Sequence, residues 1–86
     1  MPKVTLYTSA LCSYCILAER FLLRKGVTDI EKVRVDLQPG RRQEMIERTR
    51  RRTVPQVFIG ENHVGGFDDL MRLERAGELD RMLREG

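Results

Sequence analysis

Short apolar runs alternate with amphipathic stretches along this 86-residue chain. Apolar or alternating runs of about four to eight residues predict strands, and longer runs with apolar residues three or four apart predict helices. The predicted order is strand, helix, strand, helix, hairpin, helix. The strands are expected at Val4–Tyr7, Ile30–Val35, Gln56–Ile59 and His63–Val64, and the helices are expected to begin near Ser13, near Pro39 and at Phe67.

The helical stretches differ in how much of their surface is apolar. The first is predicted from about Ser13 to Lys25, with Gly26 as its C-cap and a buried face at Leu17, Ala18, Phe21 and Leu22. The second carries Met45 and Ile46 among charged residues and should be largely exposed. The last has an apolar stripe, interrupted around Gly77, at Leu70, Leu73, Leu79, Met82 and Leu83.

These elements define the expected fold class. A strand–helix–strand unit with a right-handed crossover makes two parallel strands, and the hairpin adds two strands that are antiparallel to each other. The prediction is an α/β fold with a four-stranded mixed sheet and helices on both faces, its strand order left open. Residues 1–86 leave room for a single small domain.

Cys12 and Cys15 lie where the first strand gives way to the first helix. Free N–H groups and the positive end of the helix dipole favour a thiolate at a helix N-terminus. We therefore expect Cys12 to attack as the nucleophile. Cys15 is one turn further along and should be more buried. It would act as the resolving thiol.

A structural or metal-binding role fits the cysteine pair less well than a redox role. A disulfide across two residues closes too small a loop to restrain the unfolded chain much. A zinc site normally takes three or four protein ligands, whereas the chain has two cysteines and one histidine, His63. His63 is expected to be a surface strand residue rather than a catalytic base. A metal site or a chance spacing stays the alternative to a redox site.

The net charge of +3 is modest, and its one dense basic run is Arg48, Arg50, Arg51 and Arg52. Such a run can bind nucleic acid, but no aromatic residue is interleaved with it. A solvated face beside an anionic small molecule is favoured, and no nucleic-acid partner is expected.

Cysteine usage and hydropathy predict the compartment. Two cysteines spaced for exchange fit a reducing cytoplasm better than a secreted disulfide scaffold. The first strand follows Met1 almost at once, so no leader is expected, and no apolar run approaches the roughly 18 residues of a membrane span. We expect a cytoplasmic protein that does not enter a membrane.

Three signatures, in this order and spacing, resemble the short dithiol class of glutaredoxins in the thioredoxin superfamily. They are Cys12-Ser13-Tyr14-Cys15, Thr53-Val54-Pro55 and Gly65-Gly66-Phe67-Asp68-Asp69. The likeness covers nearly the whole chain. Thioredoxin is less similar, because it carries Trp before the first cysteine and Gly-Pro between the two. The resemblance implies a thioredoxin-like fold with three to four helices, a cis Pro55 that faces the cysteines, and glutathione as substrate and reductant.

The resemblance also implies roles for individual residues. Cys12 matches the nucleophile and Cys15 the resolving thiol, in an enzyme that reduces protein–glutathione mixed disulfides and protein disulfides. The implied contacts to glutathione run along the whole ligand. Tyr14 flanks the glutathione sulfur, and Thr53, Val54 and Pro55 form the segment whose Val54 backbone pairs with the glutathione cysteine like an added strand. Arg42 meets the glycine carboxylate, and Phe67, Asp68 and Asp69 hold the γ-glutamyl end.

The chain departs from the family pattern at two positions. Ser9 stands where the family usually carries a lysine, and Arg42, or Arg51 and its neighbours, is expected to substitute for that cation. Ser13 replaces the usual proline between the cysteines. This form resembles members that hold a [2Fe–2S] cluster between two protomers, with Cys12 and a glutathione thiol from each half as ligands.

Two alternatives to a monomeric enzyme therefore stay open. One is a cluster-bridged dimer in which catalysis is secondary. The second is an interaction module whose cysteines sense oxidation and which needs no glutathione pocket. The Thr53-Val54-Pro55 and Asp68-Asp69 segments argue against the second alternative.

Overall fold

A computed structural model describes residues 1–85, which form four strands and four helices. In chain order these are β1 Val4–Thr8, α1 Ser13–Arg24, β2 Ile30–Arg34, α2 Arg41–Thr49, β3 Gln56–Ile59, β4 Asn62–Gly65, α3 Phe67–Arg75 and α4 Leu79–Glu85. Each predicted strand and helix is present. Within residues 1–85, no helix is long and apolar enough to cross a membrane.

Two glycines account for the differences in helix boundaries. We expected Pro39 in the first turn of α2, but that prediction is wrong. Gly40 precedes the helix with a left-handed φ of 81°, so the helical conformation cannot extend back to Pro39. The last predicted helix is divided into α3 and α4, and Gly77 lies in the break with a φ of 74°.

The sheet has the strand order β2-β1-β3-β4. β1 and β2 are parallel, β3 is antiparallel to β1, and β4 is antiparallel to β3. The predicted α/β fold with a four-stranded mixed sheet is therefore confirmed. Because Tyr7 near the end of β1 pairs with Gln56 at the start of β3, the segments after β1 and before β3 meet at one edge.

Helices cover both faces of the sheet, as predicted. α1, α3 and α4 pack on one face around an apolar core built from Val4, Leu6, Ala18, Leu22, Val27, Val57, Ile59, Leu70, Leu79 and Leu83. α2 covers the opposite face, where Met45 packs with Tyr7, Val33, Val35 and Phe58. This second face includes the phenol of Tyr7, so it is the more polar of the two.

Leu17 is an exception to the predicted buried face of α1. It is 43% exposed, whereas Cys15, Ala18 and Leu22 are buried. Those three positions follow an i, i+3, i+7 spacing, which sets the buried stripe of the helix. Leu17 lies well off that stripe and therefore faces outward.

Candidate active site

Cys12 is the N-cap residue of α1. Its backbone is extended, with φ −112° and ψ 105°, and its Sγ accepts a hydrogen bond from the backbone N–H of Cys15 at 3.2 Å. Ser and Asp oxygens commonly satisfy a free amide of the first turn in this way. Here a sulfur takes that place, so the helix start donates to the group that would carry negative charge as a thiolate.

The loop before Cys12 is fixed by a charged pair at the end of β2 and just after it. Asp36 accepts a hydrogen bond from the Ala10 backbone N–H at 3.1 Å, and Arg34 pairs with Asp36 at 2.7 Å. The hydrogen bond from Arg34 holds the pKa of the Asp36 carboxyl well below its usual range, so Asp36 stays charged. The loop that carries Ser9 is therefore tied to the end of β2.

Cys15 is 3% exposed, as its predicted position inside α1 required. Burial raises the pKa of the Cys15 thiol, and the adjacent Cys12 raises it further. Both cysteines are free thiols here. Cys15 therefore stays protonated more readily than an exposed cysteine, which suits a resolving thiol better than an attacking one.

The segment before β3 lies beside Cys12. The Val54–Pro55 peptide bond is cis, as the resemblance implied. Pairing of Tyr7 with Gln56 brings this segment next to the loop after β1. The Sγ of Cys12 is 3.9 Å from the carbonyl oxygen of Val54. The first two signatures therefore meet at one place.

Asp69 caps the start of α3 and is held by three donors. Its Oδ2 accepts from the Gly66 backbone N–H at 2.9 Å and from Arg51 at 2.8 Å, and its Oδ1 accepts from Arg72 at 2.9 Å. The Arg51 guanidinium, helped by Gly66 and Arg72, lowers the pKa of Asp69 to about 2. This carboxylate is ionised at neutral pH and joins α3 to the segment before β3.

Gly65 is required by this arrangement. Its φ is 117°, which side chains rarely allow, and an added Cβ would lie 2.3 Å from the Asp69 Oδ2. The same Cβ would lie 3.0 Å from the Arg51 guanidinium. The close approach of the ion pair to the backbone thus explains the first glycine of the Gly65-Gly66 pair.

A pocket of about 250 Å³ lies between the start of α1, the segment before β3 and the start of α3. It is lined by Tyr14, Arg51, Thr53, Val54, Pro55, Gln56, Gly66, Phe67, Asp68 and Asp69. The rings of Tyr14 and Phe67 lie 6.1 Å apart, and Asp68 is exposed at the pocket wall. All the residues predicted to bind glutathione line this pocket except Arg42.

Arg42 lies on the exposed side of α2 and donates a hydrogen bond to the Arg52 carbonyl at 3.2 Å. Arg51, the alternative substitute for the missing lysine, lines the pocket and is 46% exposed. The contact of each arginine with a glutathione carboxylate stays a prediction. The geometry places Arg51 closer to the remaining predicted residues than Arg42.

Gln56 and Gly66 also line the pocket, although neither was predicted to bind the ligand. Gln56 is 1% exposed in an otherwise apolar strand. A buried polar side chain needs hydrogen-bond partners, so a lone glutamine among apolar strand residues was the available signal.

The basic run is divided between separate contacts. Arg48 lies over the Phe58 ring at 3.9 Å and donates to the Tyr7 hydroxyl at 2.8 Å, whereas Arg51 pairs with Asp69.

Among residues 1–85, no group of three or more His, Cys, Asp or Glu side chains is placed to hold a metal ion. The [2Fe–2S] cluster with Cys12 as a ligand stays a prediction.

The fold and the cysteine pair define a thioredoxin-like thiol–disulfide oxidoreductase. Residues 4–64 match the family model described as "Glutaredoxin", and the chain belongs to the glutaredoxin family. It is 52% identical to a glutaredoxin of Pseudomonas aeruginosa over 83 residues, which cover 96% of this chain and 98% of the relative. It is 43% identical to glutaredoxin 3 of Escherichia coli K12 over 84 residues, which cover 98% of this chain and 100% of the relative.

A solved structure extends the comparison to three dimensions. The crystal structure of a buckwheat glutaredoxin–glutathione complex superposes with a TM-score of 0.87 at 29% identity. The match covers 95% of this chain and 76% of that one. The thioredoxin-like fold is therefore shared with a protein that was crystallised with glutathione.

Proposed function

We propose that this protein is a glutathione-dependent oxidoreductase that reduces protein–glutathione mixed disulfides and protein disulfides. The observation that carries the proposal is the pocket beside Cys12, whose wall includes Val54, the residue whose carbonyl approaches the Cys12 Sγ. A thiol ligand seated there would have its sulfur next to the nucleophile. The glutathione complex of the buckwheat relative supports this choice of ligand.

The pocket suits the charged ends of glutathione. Glutathione carries a carboxylate and an ammonium at its γ-glutamyl end, and a second carboxylate at its glycine end. The backbone N–H groups that begin α3 are donors for the first carboxylate, and exposed Asp68 can meet the ammonium. Arg51, which lines the pocket and pairs with Asp69, is the cation that we assign to the glycine carboxylate.

The central part of the ligand would contact the segment before β3. Val54 precedes the first paired residue of that strand, so its backbone lies beyond the sheet ladder. The peptide groups of glutathione can pair with it as a short added strand. Tyr14 and Phe67 would flank the ligand with their rings.

The proposed reaction has two exchange steps. The Cys12 thiolate attacks the glutathione sulfur of the mixed disulfide, the S–S bond breaks, and the protein thiolate leaves and takes a proton. A second glutathione thiolate then attacks the glutathione sulfur bound to Cys12. This step releases oxidised glutathione and restores the Cys12 thiolate.

Protein disulfides require the second cysteine. Cys12 attacks one sulfur of the substrate and forms a mixed disulfide, and Cys15, once deprotonated, attacks the Cys12 sulfur and releases the reduced substrate. Two glutathione molecules then reduce the Cys12–Cys15 disulfide. The buried, protonated state of Cys15 keeps it from competing as the first nucleophile.

The test is reduction of a small glutathione mixed disulfide by glutathione, with cysteinylglycine as a comparison reductant. Because cysteinylglycine lacks the γ-glutamyl group, it should be used much less well. Asp68→Asn should raise the apparent KM for glutathione about three- to tenfold, in proportion to one partly exposed charged contact. Asp29→Asn is the matched control, since Asp29 is exposed in the loop between α1 and β2, away from the pocket.

The decisive outcome concerns the two reductants. Equal rates with glutathione and cysteinylglycine would contradict glutathione dependence while leaving thiol–disulfide exchange intact. Equal KM values for the Asp68 and Asp29 variants would contradict this placement of the γ-glutamyl end.

A [2Fe–2S]-bridged dimer stays a prediction from Ser13 and is not favoured over the enzyme. If such a cluster were bound, Cys12 would be the ligand contributed by each chain, and the cluster would occupy the sulfur that the exchange reaction needs. Anaerobic reconstitution with iron, sulfide and glutathione, followed by absorbance and size-exclusion measurements, tests it. A colourless monomer would exclude the dimer.

A further inference from the structure

His63 lies next to two side chains of β3 on the face of the sheet that α2 covers. It pairs with Phe58 across the β3–β4 hairpin, and its ring lies 5.1 Å from the Phe58 ring. The register shifts at Val57, which pairs with Gly65. Gln56 is two residues before Phe58 in β3 and therefore points to the same face. The hairpin thus brings the imidazole within reach of the Gln56 amide.

Both ends of the Gln56 amide are used. Its Nε2 donates to the Thr53 carbonyl at 3.1 Å, and its Oε1 lies 2.7 Å from the Nε2 of His63. Because a carbonyl only accepts, the amide NH₂ must face Thr53 and the amide oxygen must face His63. The His63 Nε2 must therefore carry the hydrogen in this contact.

The imidazole is suited to this donor role at neutral pH. His63 as a whole is exposed, but partial desolvation of its ring, followed by the nearby Arg51, lowers the pKa of His63 from its ordinary value. The ring is then neutral and carries one hydrogen, which the Gln56 oxygen holds on Nε2. One continuous chain of donors runs from β4 through Gln56 to the carbonyl of Thr53.

We propose that His63 is a positioning residue that, through the Gln56 amide, holds the Thr53–Pro55 segment in the conformation that receives glutathione. This inference rests on the proposed function. Thr53, Val54, Pro55 and Gln56 line the pocket, whereas His63 is not among its lining residues. His63 therefore acts on the ligand through Gln56 and not by contact.

The physical basis is the cost of an unpaired buried acceptor. Gln56 is 1% exposed, so water cannot readily replace the hydrogen from His63. Without that donor, one of the two hydrogen bonds that fix the orientation of the Gln56 amide is lost. Rotation of the amide by a half turn would then place its oxygen against the Thr53 carbonyl. The segment that carries Val54 would then lose an anchor.

The experiment begins with His63→Phe, which keeps an aromatic ring over Phe58 and removes the donor. We expect the KM for glutathione to rise about two- to tenfold, the range for one neutral hydrogen bond, with kcat changed less than about twofold. His63→Gln restores an N–H donor and should recover part of the loss. A role in packing alone would predict the opposite order, with Phe better tolerated than Gln.

A second background tests whether the effect passes through Gln56. In Gln56→Met the amide is absent, so adding His63→Phe should change KM by less than about twofold. Thermal melting verifies that each variant is folded, and His63→Leu replaces His63→Phe in the series if the latter does not fold.

The outcomes separate this inference from the proposed function. A wild-type protein that does not use glutathione overturns both. A wild-type protein that uses glutathione, with the same KM in His63→Phe, overturns the positioning role alone. An equal rise in KM with and without Gln56 also overturns it, because His63 would then act by another route.

Discussion

Two helices, α1 and α3, begin at the candidate pocket, and their first turns are capped in different ways. At α1 the cap is the Cys12 sulfur, and the following residues, Ser13 and Tyr14, carry no charge that would meet the dipole. At α3 the cap is the Asp69 carboxylate, with Asp68 beside it. The two helix starts therefore offer their free amides to different chemical groups.

The difference separates a reactive helix start from a structural one. At α1 the Cys15 amide and the positive end of the helix dipole face the Cys12 sulfur, and no carboxylate competes for them. At α3 the positive end of the helix dipole faces the Asp69 carboxylate. The pKa of Asp69 is lowered to about 2, and its carboxylate is held by Arg51, Gly66 and Arg72. The start of α1 therefore faces the reacting sulfur, whereas at the start of α3 Asp69 fixes the pocket wall and the first-turn amides remain for the ligand carboxylate proposed above.

The largest expected effect concerns the reactive start. Cys12→Ser should abolish reduction of both mixed disulfides and protein disulfides, because serine cannot form the exchanging S–S bond. Cys15→Ser should keep reduction of mixed disulfides by glutathione and lose reduction of protein disulfides. Both activities are measured at matched protein concentration. An active Cys12 variant with an inactive Cys15 variant would reverse the roles assigned to the two sulfurs.

The sequence was sufficient for features that depend on local pattern. The α1 start, the apolar run of β3 and the stripe through Leu70 and Leu83 follow from side-chain spacing alone, and each is present. The family signatures then indicated the meeting of Cys12 with the segment before β3, which no local pattern encodes.

Features that depend on tertiary contacts were not predictable in the same way. The pair of Arg51 and Asp69 joins residues 18 positions apart, and its geometry depends on how α3 docks beside β3. The contact of His63 with Gln56 depends on the hairpin register. Arg42 shows the converse, since the presence of its helix was predicted, whereas its side chain lies outside the pocket.

The capping arrangement at the start of α3 can be disrupted by a substitution at Gly65. Gly65→Ala adds a methyl group that would overlap the Asp69 carboxylate, at a backbone φ of 117°. We expect the free energy of unfolding in urea to fall by roughly 2–4 kcal/mol, from backbone strain and displacement of the ion pair. Gly26→Ala is the matched control, because its φ is 93° and its added Cβ would meet open space. A loss no larger than that of the control would mean that the Asp69 contact adds nothing to the requirement for glycine.

The charge of Asp69 can be tested by pH. Its pKa is lowered in the folded protein, chiefly by the hydrogen bond from Arg51, so its contribution to stability is full above the ordinary carboxyl value of 3.8 and is lost as pH falls towards about 2. Asp69→Asn should reduce the free energy of unfolding by about 1–2 kcal/mol at pH 7. The difference from the wild type should shrink below about pH 4 and nearly vanish near pH 2. A difference that does not change between pH 7 and pH 2 would show that packing, and not the carboxylate charge, is responsible.

The smallest expected effect comes from making the α1 start resemble the α3 start. Ser13→Glu places a carboxylate in the first turn of α1, where it should stabilise the helix by about 0.3–1 kcal/mol. The added carboxylate repels the Cys12 thiolate and offsets the positive end of the helix dipole beside it. Alkylation of Cys12 by iodoacetamide at pH 7 should therefore slow about two- to fivefold. Cys15→Ser serves as the background, so that only one thiol reacts. Ser13→Gln is the control, because it has the same length without the charge and should leave the alkylation rate close to that of Ser13. Equal alkylation rates for the Glu and Gln variants would mean that an acidic residue at this helix start does not affect the reactivity of Cys12. The difference in acidic residues between the starts of α1 and α3 would then have no chemical consequence.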